Sequence, residues 1–183
     1  MQTLLEQVTQ FASDAHGSQR RKFIDEPYIV HPIRVMEICK GYTSDPAVLA
    51  AALLHDVLED TSVTKDEISK FLLTQMDDAT TRRTVQLVDE LTDRFVKAAY
   101  PQLNRRTRKS REAERLAATS GDAQTIKYAD IIDNSAEFAS QETDFTHVFL
   151  RECHSLLKKM DKGNQALRER AMKVVEGEIA KLK

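Results

Sequence analysis

The sequence predicts an all-α fold, a single-domain bundle of about eight or more helices, and three observations carry that expectation. No stretch alternates apolar and polar residues with the two-residue period of a strand. Only five glycines and four prolines punctuate the 183 residues, few for a chain built from many turns. Apolar residues recur instead at three- and four-residue spacing, the stripe of an amphipathic helix. The length suits one domain over 1–183 and allows a sizeable core.

In chain order, Leu4, Leu5, Val8, Phe11, Ala12 and Ala15 place a first helix over 2–15. It ends near His16-Gly17, with His16 expected to be a cap or a surface residue. The basic cluster Arg20-Arg21-Lys22 follows Gln19; such a run is by default a solvated face, with phosphate contacts the competing reading. Pro32 suits the first position of a second helix, leaving His31 at its N-terminus, and Gly41 stops it. Asp45 caps and Pro46 opens a third helix, expected to run unbroken to about Asp60. Thr64-Lys65-Asp66-Glu67 is a capping box for a short helix through Phe71-Leu72. Val85, Leu87, Val88 and Leu91 mark another over 79–91. Beyond Pro101, five cations occupy the seven positions 105–111 and lead into a helix at 112–117. That mixture fits either i,i+4 pairing on a solvated helix or an anion-attracting rim. A helix over 123–139 sets Ile126, Asp130, Asp133 and Asn134 on one side, an inward position for Asp130 that a surface charge does not explain. Two amphipathic segments close the chain, marked by Val148, Cys153, Leu156, Leu157 and Met160, then by Leu167, Ala171, Val174, Val175 and Leu182. His147 and His154 in the first of them read as structural or exposed.

Composition narrows the function. With 41% hydrophobic and 31% charged residues, the chain has the balance of a soluble helical protein. A net charge of −2 lacks the basic excess of a general nucleic-acid binder. No apolar run approaches the roughly 20 residues of a membrane span, and the N-terminal segment has neither a basic n-region nor an apolar h-region, so a cytoplasmic protein is expected. Cys39 and Cys153 stand apart without CxxC spacing, as two reduced core thiols would.

The chemistry concentrates in residues 50–61, where an alanine- and leucine-rich run meets His55-Asp56 and, one turn on, Glu59-Asp60. Three carboxylates there have no Lys or Arg within four positions, the nearest being Lys65. At 3.6 residues per turn His55 stacks with Glu59 and Asp56 with Asp60, near a helix end whose dipole disfavours anions. A metal ion supplies the missing positive charge most simply; the plainer reading is an exposed acidic helix end with a structural histidine. With His31 and Asp130 the set becomes two imidazoles and two carboxylates, a mixture suited to Mn²⁺, Fe²⁺ or Zn²⁺. Such an ion activates water near neutral pH, with Glu59 and Asp60 placed to orient or deprotonate it.

These residues resemble the HD-superfamily phosphohydrolases and, within them, the hydrolase domain of the RelA/SpoT homologues. The matching pieces are Arg21-Lys22, Pro27-Tyr28-Ile29-Val30-His31-Pro32, the run from Ala52 to Thr61, and Ile126-Lys127-Tyr128-Ala129-Asp130. The likeness covers roughly residues 1–160 and looks like that of a stand-alone small alarmone hydrolase with no synthetase domain following. It implies an HD-fold bundle in which His31, His55, Asp56 and Asp130 hold one Mn²⁺ while Glu59 and Asp60 assist water attack on a 3′-pyrophosphate. It implies further that Arg21 and Lys22 flank the nucleotide, that Asn134 contacts it, and that the products are pyrophosphate and GDP or GTP. Where the long members carry cations after the metal Asp, this chain has the acidic Asp133 and Glu137. Other substrates of the same class are an adenosine alarmone, the 2′-phosphate of NADPH or a nucleoside monophosphate. A nucleotide-binding module without turnover is the remaining reading, disfavoured by the intact Glu59 and Asp60.

Overall fold

In the computed structural model, which describes residues 2–139, 141 and 144–182, the described residues form ten helices and no strand. The expected all-α class, with eight or more helices, is what forms among the described residues. An antiparallel bridge between Arg20 and Pro27 is the one extended pairing among the described residues. No described helix is long and apolar enough to cross a membrane. The chain divides after Thr92 into two compact units.

The first unit holds α1 (Gln2–His16), α2 (Val30–Lys40), α3 (Pro46–Leu54), α4 (Val57–Asp60), α5 (Lys65–Leu73) and α6 (Asp78–Leu91). Its centre is α3, in which every residue from Ala47 to Leu54 is buried. A helix apolar all round has to be enclosed, and α1, α2 and α6 pack against this one. Its start follows the sequence: the Asp45 side chain accepts the Ala47 N–H at 2.9 Å, with Pro46 at N1. The capping box at Thr64 also forms, Thr64 accepting from the Glu67 N–H while the Glu67 carboxylate accepts from the Thr64 N–H. Gly17 ends α1 with φ at +54°, the left-handed backbone glycine adopts without strain.

Two boundaries differ from expectation. The second helix starts at Val30, so Pro32 is its third residue and His31 lies within its first turn. Proline is tolerated there because the first turn's N–H groups have no intrahelical partner. The third helix does not run on to Asp60. It stops at Leu54, and Asp56 (φ −96°, ψ −7°) separates it from the single turn α4. Both His55 and Asp56 keep right-handed helical backbone angles, so the break is one slackened turn and not a change of course.

The second unit comprises α7 (Arg105–Ala118), α8 (Gly121–Ala139), α9 (Asp144–Lys159) and α10 (Gln165–Lys181). Here α8 packs on α9 and α10, and α7 on α9. The start of α8 is tied to the segment ahead of α10: Tyr128 donates to the Met160 carbonyl at 3.0 Å, and the Asn164 N–H donates to Thr125 Oγ1 at 2.9 Å. The approach is so close that a Cβ on Gly163 would lie 2.5 Å from the Tyr128 ring and 2.9 Å from the Thr125 nitrogen, so only glycine fits. The cationic run is itself helical, beginning at Arg105 behind the Asn104 cap. Val148, expected in the core, is exposed. Cys39 and Cys153 are buried free thiols, as expected.

Candidate functional site

Helix α2 and the break after α3 bring His31, His55 and Asp56 together, with one donor atom from each inside a 4.8 Å cluster. His31 and His55 are almost wholly buried, at 1% and 3% exposure, and Asp56 is partly buried. Asp56 Oδ2 lies 3.1 Å from His55 Nε2 and 3.5 Å from His31 Nε2. His55 Nδ1 donates to the Ala52 carbonyl at 2.8 Å. A carbonyl oxygen can only accept, so Nδ1 carries a proton, and in the neutral ring Nε2 is the nitrogen left to act as a metal ligand. Nε2 and the carboxylate oxygen at 3.1 Å need a positive charge between them, either a proton or a metal ion. The donor set thus fits a divalent ion of the imidazole- and carboxylate-binding kind.

The carboxylate is oriented from outside the cluster. Tyr28 donates its hydroxyl proton to Asp56 Oδ2 at 2.7 Å. Its ring meets His31 edge-on at a centroid distance of 5.9 Å and stacks, tilted, on His16 at 4.6 Å. The Arg21 guanidinium sits 5.5 Å from the same ring centroid. Arg21 is buried while Lys22 is exposed, its ammonium above the Phe23 ring. Tyr28 lies in the Pro27–Pro32 string, but only its neighbour His31 had a ligand's chemistry, so its orienting role was not anticipated. His16 is buried rather than capping the surface, because the loop after α1 folds back and brings Tyr28 over it.

Glu59 and Asp60 are exposed on α4. The i,i+4 relation of Asp56 and Asp60 survives the helix break, since the Asp60 N–H donates to the Asp56 carbonyl at 2.9 Å. Gln19 Nε2 donates to Asp60 Oδ2 at 3.0 Å.

In the second unit Asp130 is 4% exposed, paired with Lys127 Nζ at 2.7 Å and accepting from Asn134 Nδ2 at 2.6 Å. Asp133 and Glu137 are buried on the same helix. A cavity of about 280 Å³ in this unit is lined by Asp130, Asn134, Arg105, Lys109 and the stacked pair Phe138 and Phe149. Cys153 also lines it, and burial pushes its thiol up to about 12, with the nearby Asp130 charge acting in the same direction. The basic segment is paired across elements rather than along its own helix: Arg105 with Glu152 at 2.7 Å and Lys109 with Asp93 at 3.1 Å.

The HD domain family model matches residues 9–159. A mouse protein named guanosine-3′,5′-bis(diphosphate) 3′-pyrophosphohydrolase MESH1 is 38% identical over 131 residues, covering 70% of this chain and 65% of that protein. A guanosine-3′,5′-bis(diphosphate) 3′-pyrophosphohydrolase of Aquifex aeolicus is 34% identical over 136 residues, 71% of this chain but 17% of its own length. The chain therefore spans less than two thirds of these relatives. Among solved structures, one described as a metazoan ortholog of SpoT that hydrolyzes ppGpp superposes with a TM-score of 0.77 at 26% identity, covering 98% of this chain and 97% of that one.

Proposed function

The chain belongs to the HD domain family, and from that premise we propose that it is a metal-dependent phosphohydrolase that removes the 3′-pyrophosphate of (p)ppGpp. The observation carrying this reading is the cluster of His31, His55 and Asp56, whose candidate ligand atoms lie within 4.8 Å of one another. The guanosine alarmone is supported by the activity for which the mouse and Aquifex relatives are named.

Mn²⁺ is the ion proposed, held by His31, His55 and Asp56 and, as the family resemblance implies, by Asp130. Bound there, such an ion supplies Lewis acidity towards a phosphoryl oxygen and lowers the pKa of water. The chain's own residues do the rest. Tyr28 holds the Asp56 carboxylate in orientation, and the Ala52 carbonyl fixes the tautomer of His55. The Glu59 and Asp60 carboxylates accept the proton of the attacking water. Arg21 and Lys22 offer positive charge to the substrate's phosphates, and Asn134 contacts the nucleotide. The substrate is a small molecule, and the chain works as one HD-type domain in the cytoplasm.

The test is a panel of (p)ppGpp, (p)ppApp, NADPH and nucleoside monophosphates, presented with Mn²⁺ and read by product analysis. Pyrophosphate released from ppGpp is the expected result; turnover confined to another member of the panel overturns the substrate assignment. In parallel, His55→Ala and Asp56→Ala are expected to lose bound metal by elemental analysis, leaving buried ligands without their cation. Stoichiometric metal in Asp56→Ala overturns the ligand assignment.

A further inference from the structure

The loop between α1 and α2 is closed by its own hydrogen bonds. The Gln19 N–H donates to the His16 carbonyl, the Tyr28 N–H to the Gln19 carbonyl, and the Arg21 N–H to the Glu26 carbonyl, at 3.0–3.1 Å. From this closed loop two side chains reach the carboxylates of the site: Tyr28 to Asp56 and Gln19 to Asp60. Behind Gln19 stands His16, whose Nδ1 lies 2.9 Å from Gln19 Oε1.

The proton positions in this chain follow from what each group can do. An ionised carboxylate only accepts, so the Gln19 amide nitrogen must face Asp60. The Gln19 oxygen then faces His16, and an amide oxygen also only accepts, so His16 must carry its proton on Nδ1. His16 Nε2 has no hydrogen-bond partner among the described residues, although it is buried. A buried N–H without an acceptor is a rarer and costlier defect than a bare lone pair, which favours the same tautomer. Without the imidazole donor, the Gln19 amide would be free to turn its oxygen towards Asp60 and repel it.

We propose that His16 and Gln19 are positioning residues for Asp60: the Nδ1–H tautomer of His16 fixes the Gln19 amide, which holds the Asp60 carboxylate by its N–H. The catalytic half of this proposal rests on the hydrolase reading given above. Neither residue touches the substrate's reacting atoms. Their effect is on where the Asp60 oxygen stands when water is deprotonated.

The experiment has two readouts. The first needs no turnover: ¹⁵N chemical shifts of the His16 ring, measured with and without Mn²⁺, report which nitrogen is protonated. Nδ1–H in the wild type, lost or mixed in Gln19→Met, is expected; an Nε2–H tautomer in the wild type overturns the proposal whatever the substrate. The second is steady-state kinetics beside metal content. His16→Phe keeps a ring on Tyr28 but removes the donor, and Gln19→Met keeps the length but removes the amide. Both are expected to lower kcat by about 10–100-fold, the usual cost of a lost outer partner. KM should stay within about twofold and metal content should stay stoichiometric, a split that general loosening of the fold would not give. His16→Asn, which restores an N–H donor towards Gln19, should recover most of kcat. If His16→Asn is as damaged as His16→Phe, or if Gln19→Met turns over like the wild type, the proposal falls. A wild type inactive on the whole panel, yet with the Nδ1–H tautomer, overturns the hydrolase reading and the catalytic half with it, while the hydrogen-bonded chain itself stands.

Discussion

His55 shows how much of the chemistry is decided atom by atom. Its Nδ1 is committed to the Ala52 carbonyl, which leaves Nε2 as the ring nitrogen that faces Asp56. Glu59 and Asp60 share the polar stripe, so spacing alone does not separate ligands from proton acceptors. The three clustered donors already give the ion three protein groups, and further carboxylates would blunt its acidity. Glu59→Gln is therefore expected to keep metal and substrate while kcat falls by about 10²–10⁴-fold, the range of a lost general acid–base group. Metal content measured beside the single-turnover rate decides it: metal lost in proportion to activity would make Glu59 a ligand.

Among the elements, α3 is the one the site depends on, because it delivers His55 and its buried length sets where the break falls. Its start rests on Asp45. Burial raises the pKa of that carboxyl, but the hydrogen bond and charge of Arg83 and the Ala47 N–H outweigh it and leave the carboxyl below its ordinary value. A folded-state pKa below the unfolded one stabilises the fold above the unfolded pKa, near 4, and that stability is lost as pH falls through the folded value. Asp45→Ala should cost about 1–2 kcal/mol at pH 7, nearly all from the lost cap, since a partly exposed ion pair adds little. Urea unfolding at pH 7 and pH 3 checks this: the gap between wild type and variant should narrow at the lower pH. A gap that widens on acidification would contradict the assignment.

For the molecule as a whole, an ion that binds only the folded state adds stability by mass action. At about 100 times its dissociation constant the gain is about 2.7 kcal/mol. For a chain of this size each kcal/mol moves Tm by roughly 2–4 °C, so saturating Mn²⁺ should raise Tm by about 5–10 °C. Calorimetry with Mn²⁺ and then with chelator measures the shift, and His55→Ala should show little of it. An equal shift in wild type and His55→Ala would mean that the ion binds elsewhere.

The sequence by itself determined the helical class, the caps at Asp45 and Thr64, the buried α3 and the His55-Asp56 pair, because these depend on residues within about one turn of each other. Only the tertiary structure decided that α3 breaks before Asp56, that His16 is buried, and that Arg105 and Lys109 pair with Glu152 and Asp93 rather than along their own helix. It also decided which side chains hold the acidic pair. Tyr28 meets Asp56 across 28 positions and Gln19 meets Asp60 across 41. No periodicity spans such separations; they are set by how the loop between α1 and α2 closes on itself and where it lies against the broken end of α3.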